Sequence, residues 1–149
     1  MYAAWHGDAA RVAWLLARGA PREEKDSIGL TALSWASDKG HADAVRVLLT
    51  AGANVDAEAN NGATPLWIAA QEGHTDVMRL LLDAGGKVES AINGGFRPLH
   101  VAIMYRRVST VTLLLDAGAD INALYNGRSP LTWTSLPEMR ALLVARGGV

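Results

Sequence analysis

The groups in this chain best suited to moving a proton or holding a metal are four imidazoles: His6, His41, His74 and His100. His41 and His74 each follow a glycine and stand 33 residues apart. That regular step places them in copies of one structural unit. Packed helices lie about 10 Å apart, so equivalent histidines in neighbouring copies cannot share a zinc that binds each ligand at about 2 Å. The chain has no cysteine, which removes disulfides and thiolate metal sites. Its carboxylates are scattered, with no close pair in an apolar setting of the kind that divides acid and base roles. No G-x-S-x-G, P-loop or G-x-G-x-x-G occurs, and Gly94-Gly95 is a hairpin pair and not a phosphate cradle. The chemistry-bearing residues therefore predict no enzyme, no metal and no cofactor.

The elements that carry these residues are clearest in Asn61–Gly85. Thr64 can cap a helix whose first residue is Pro65, where no N–H is needed. Leu66, Ala69 and Ala70 share one face of it. Gly73-His74 ends it, Met78, Leu81 and Leu82 form a second apolar face, and Gly85 supplies a left-handed stop. Two such short helices cannot bury their faces alone. The chain repeats them: Gly29, Gly62 and Gly95 are 33 apart, as are Gly52, Gly85 and Gly118, Pro65 and Pro98, and Leu33, Leu66 and Leu99.

This period resembles the ankyrin repeat. The matching residues are Thr64-Pro65-Leu66 with Ala69, Pro98-Leu99-His100 with Ala102, Ser129-Pro130-Leu131, and the pairs Leu48-Leu49, Leu81-Leu82 and Leu114-Leu115. The resemblance implies an all-α solenoid of helix–turn–helix units joined by β-hairpin loops. It would form a single domain over 1–149: a partial repeat at 1–26, repeats at 27–59, 60–92 and 93–124, and a shortened one at 125–149. It also implies a non-catalytic protein–protein interaction module; the alternative is a regulatory or targeting portion of a larger enzyme or channel. Met1 leads directly into the inner half of a repeat, which is either an N-terminal cap or a start cut or edited from something longer; Tyr2 and Trp5 are poor material for the polar outer face of a cap and favour the second.

In that family partners lie in a concave groove lined by hairpin tips and the exposed ends of the inner helices. Carried over by position, the lining is Trp5 and His6, then Ser27, Ile28, Leu30, Asp38 and Lys39, then Asn60, Asn61, Ala63, Gln71 and Glu72. Asn93, Gly94, Phe96, Met104 and Tyr105 follow, and finally Tyr125, Asn126 and Arg128. Trp5, Leu30, Phe96, Met104, Tyr105 and Tyr125 are then apolar groups in water. Aromatics, Met and Arg are the types enriched at interface cores, so these six, with Arg106 and Arg128, are the expected partner-binding residues. Arg97, Arg106, Arg107 and Arg128 favour an acidic or aromatic-bearing partner. Trp14, Trp35 and Trp133 fall where other repeats have Ile, Val or Leu and are expected in the core.

Several departures carry expectations of their own. Pro21–Asp26 reads as a solvated loop tip. Trp67 takes a usual histidine position, Arg97 a capping threonine's, and Arg106-Arg107 that of Gly-His. About three residues are missing near Ser135–Pro137, so a shortened last helix is expected from Pro137. The net charge of −1 argues against nucleic acid as partner. No run of about 18 apolar residues and no leader are evident, so no membrane and a cytoplasmic location are expected, with a monomer whose ends could stack.

Overall fold

Helix starts and stops form where the sequence provides for them. Thr64 Oγ1 accepts the Trp67 N–H at 3.2 Å, Pro65 opens the helix, and Gly73 closes it at φ 85°, a left-handed angle that costs a glycine little. In the preceding unit Thr31 and Ser34 form a reciprocal capping box. Asp76 sits in the first turn of the helix after His74, where a carboxylate complements the helix dipole.

The chain was characterised from a computed structural model that describes residues 1–149 apart from the side chain of Asn93, so the finger-tip role expected of that side chain lies outside the described residues. The inner helices are α1 (Tyr2–Trp5), α3 (Ala32–Asp38), α5 (Pro65–Glu72) and α7 (Pro98–Met104). The outer helices are α2 (Ala9–Ala17), α4 (Ala42–Thr50), α6 (Thr75–Asp83), α8 (Val108–Asp116) and α9 (Pro137–Ala145). Each inner helix packs on its own outer partner and on the next inner helix, giving a two-layered all-α solenoid. The core runs between the layers, and Leu48, Leu81 and Leu114, one per repeat, are buried there with Leu33, Leu66 and Leu99.

Among the described residues the connecting hairpins contain no strand and are closed by short pairings. The N–H groups of Asp26, Ala59 and Ile92 donate to the carbonyls of Leu30, Ala63 and Phe96 at 2.9–3.1 Å. In the last hairpin Tyr125 and Arg128 pair across only two residues, Asn126 and Gly127, both at positive φ, the backbone that an Asn-Gly turn favours. This accounts for the single residue missing between Gly118 and Gly127.

Three expectations are corrected. The last helix is not shortened: α9 begins at Pro137 and has nine residues, like α8. The deletion falls on the inner element, reduced to a 3-10 turn at Pro130–Trp133. Trp14 is not in the core; it is 54% exposed on α2, with the Arg18 guanidinium 3.8 Å above its ring. Pro21–Asp26 is not merely solvated: residues 21–25 are exposed and Asp26 is half-buried. Glu23 accepts the Asn54 N–H at 2.8 Å, and the same bond recurs from Asp56 to Lys87 and from Glu89 to Asp120. Asn122 continues it to Val149. The four acceptors stand 33 apart and tie each hairpin to the next.

Candidate protein-binding surface

The turns between helices lock neighbouring repeats together, and this consumes the histidines. His41 Nε2–H donates to the Trp5 carbonyl at 3.1 Å, and His74 Nε2–H to that of Asp38 at 3.0 Å. In the next repeat Arg107 Nε–H reaches the Gln71 carbonyl at 3.1 Å and does the same work. Each of these side chains lies over the glycine of the preceding turn. A Cβ on Gly40 would come within 2.7 Å of the His74 ring, and one on Gly73 within 2.8 Å of Arg107 Cδ. Arg106 takes the glycine position at φ 60°. The fifth repeat has Leu136, and neither His nor Arg, at the start of α9.

His100 is fully buried. Its Nδ1 accepts the Arg97 N–H at 3.1 Å, so Nε2 carries the proton and donates to the Ala123 carbonyl at 2.8 Å. Burial holds its pKa below the usual histidine value, and Arg97 lowers it further, while the bond to Ala123 and the carboxylates of Glu89 and Asp120 oppose the shift. Arginine has no acceptor, so Arg97 cannot cap α7, and His100 supplies the one side-chain contact at that helix start. Asp26 is another perturbed group. Burial raises its pKa, but the N–H groups of Leu30, Trp35, Ile28 and Gly29 outweigh it and the net shift is down. Both are structural roles. Among the described residues no group of three His, Asp or Glu side chains is placed to hold a metal, and no helix is long and apolar enough to cross a membrane.

The groove-lining residues expected from the sequence divide into two sets. Met104 is 48% and Tyr105 47% exposed at the end of α7, and Trp5 is exposed at the end of α1. Lys39 stands 5.8 Å over the Trp5 ring and pairs with Asp38 at 2.8 Å. Phe96, by contrast, does not stand in water. It is 7% exposed, with ring centres of Tyr125 at 4.7 Å, His100 at 5.7 Å, Trp133 at 5.9 Å and Trp67 at 6.3 Å. The Trp67 indole N–H donates to the Phe96 carbonyl at 3.0 Å, so Trp67, like His100 one repeat later, bonds to the next hairpin. Tyr125 and Leu30 are half-buried against the same core. An aromatic side chain at a hairpin tip packs on its neighbours when the next hairpin supplies aromatic partners, which a one-repeat mapping cannot show.

Between the second and third repeats the inner helices and hairpins enclose a concave pocket of about 460 Å³, lined by Ile28, Leu30, Asp38, Ala63, Trp67 and Ile68 among others. Ile28, 55% exposed, was placed at a fingertip by the sequence but left out of the expected binding set; its aliphatic type at a tip position was the available signal.

The arginines also divide. Arg97 pairs with Glu89 and lies 3.7 Å from Asp120, so its charge is neutralised. Arg106 and Arg128 remain exposed, and Arg128 stacks 5.6 Å over Trp133.

Family comparison agrees with this architecture. A model of ankyrin repeats in three copies matches residues 1–92, and a single ankyrin-repeat model matches residues 94–126. No curated protein matches the chain.

Proposed function

Because the chain belongs to the ankyrin-repeat family, whose repeats are generally protein–protein interaction modules, we propose that it is a non-catalytic binding module that takes a protein partner in its concave groove. One observation carries the reading. Large apolar side chains, Trp5, Ile28, Met104 and Tyr105, stand exposed at the positions the family uses for its groove, and Ile28 lines a preformed apolar pocket, although burying them against neighbours would be favourable. Contacts of this type dominate the energy of protein interfaces.

The test is a pull-down with the wild-type chain and with an Ile28→Asp/Met104→Ser/Tyr105→Ser variant, both checked for helicity. Because these side chains are exposed, the variant should fold normally and lose the proteins that wild type retains. Retention of the same proteins by a folded variant would contradict the groove as the site. Phe96 is unsuitable for this test, since its removal would disturb the core.

A further inference from the structure

The two parts of the chain carry opposite charge. Residues 1–92 hold eight Lys and Arg against twelve Asp and Glu, whereas residues 93–149 hold six arginines against three carboxylates. Ion pairing does not cancel the second excess. Arg97 is taken by Glu89 and Asp120, and Arg146 by Asp116 at 2.7 Å. Arg106, Arg107, Arg128 and Arg140 have no carboxylate within 4 Å among the described residues. Three of them bond to neutral carbonyls: Arg107 to Gln71, Arg128 to Thr132, and Arg140 to Leu131 and Thr134. Such bonds fix the side chains without compensating their charge.

The apolar counterpart lies at the same end. The four-residue 3-10 turn Pro130–Trp133 succeeds the seven-residue α7, so the last turn of α7 lacks the helical neighbour that α3 and α5 have. Met104 and Tyr105 are exposed there, whereas Asp38 and Gln71, which take the Met104 position in the preceding repeats, are half-buried. Two exposed apolar side chains thus stand beside the unneutralised guanidinium of Arg106, in the same arginine-rich part of the chain as that of Arg128.

We propose that this C-terminal end of the groove, with Met104 and Tyr105 as its apolar floor and Arg106 and Arg128 at its rim, docks an acidic segment of a protein partner bearing an aromatic or branched aliphatic side chain. The proposal rests on the groove being the protein-binding surface. Guanidinium groups match carboxylates in geometry as well as charge, and complementary charge selects partners and speeds encounter. A basic segment would meet two uncompensated cations at that rim.

The experiment is selection of a random twelve-residue peptide library displayed on phage against the immobilised chain. Enriched peptides should be net negative and carry an aromatic, Leu or Ile residue. Synthetic copies should lose at least about tenfold in affinity to Arg106→Glu/Arg128→Glu and weaken as salt is raised, while Arg79→Glu, the same charge reversal on the outer helix α6, leaves them unchanged. Arg106→Gly removes one charge and also relieves the left-handed backbone, so it supplies a variant whose weaker binding cannot be ascribed to misfolding. Neutral or basic winners, no enrichment, or acidic winners indifferent to the arginine variants would overturn the proposal. Winners lost only to Ile28→Asp would sink it while leaving the groove intact. Winners that survive both sets of variants would remove the groove reading as well.

Discussion

The third and fourth repeats solve one structural problem with different residues. In the third, Thr64 caps the inner helix, Trp67 bonds to the next hairpin, Gly73 makes the turn and His74 ties back to Asp38. In the fourth, His100 serves both the helix start and the next hairpin, Arg106 makes the turn, and Arg107 ties back to Gln71. The backbone path and the bonds between repeats persist while the side chains change. What selection of this fold requires is a donor at a given place, and several residue types provide one. The exchange has a surface consequence, since Arg106, in place of the turn glycine, adds charge next to Met104 and Tyr105, while Arg97 is neutralised by Glu89 and Asp120.

The comparison breaks most severely at its buried contacts. His100→Ala should cost about 3 kcal/mol, through lost packing and an unpaired Ala123 carbonyl, and Trp67→Ala about 3–5 kcal/mol. Urea denaturation measures both; a loss below about 1 kcal/mol for His100→Ala would mean the fifth repeat does not depend on it. The turn glycine gives opposite signs in the two repeats. Gly73→Ala should destabilise by about 2 kcal/mol, from its positive φ and the close Arg107 side chain. Arg106→Gly should stabilise by about 1 kcal/mol. Thermal melts of the two variants check this, and a loss for Arg106→Gly would show that its side chain makes a contact worth more than the strain.

His100 also sets a pH dependence. Folded, it binds fewer protons than the unfolded chain, so its contribution is complete above about pH 6.5, the ordinary histidine value, and is lost as pH falls through that value toward the lowered one. The slope for one site is at most about 1.4 kcal/mol per pH unit. His100→Gln keeps an acceptor and a donor but does not titrate, and its stability should fall less than that of wild type between pH 7.5 and 5.5. The smallest effects sharpen the equivalence. His74→Ala and Arg107→Ala should cost about 1 kcal/mol each, and a clear inequality would show that the arginine is not a substitute for the ring.

Much of this architecture is legible in the chain because its determinants are local. Thr64-Pro65, Gly73 and Gly85 dictate helix limits without reference to anything distant, and the 33-residue step supplies the stacking. What escaped the sequence depends on contacts between repeats. Phe96 occupies a fingertip position, but Trp67, Tyr125 and Trp133 converge on it from three other segments and bury it. Glu23 looks solvated until Asn54, in the next loop, is brought to its carboxylate. Trp14 shares its position with half-buried Val47, Leu80 and Leu113, yet no earlier repeat stacks on its side of α2 within the described residues. The missing residues after Pro130 were countable, but which helix lost them was decided by α9 having to bury its own Met139 and Leu143 against the core.

Photo-crosslinking tests the central claim most directly. Benzoylphenylalanine placed at Tyr105 or Ile28, the proposed groove positions, is compared with the same group at Arg79 or Val144, exposed on the outer helices α6 and α9. A groove-binding module predicts a common crosslinked protein from the concave positions that is absent from the outer ones. The same product from both faces, or from the outer helices alone, would contradict it.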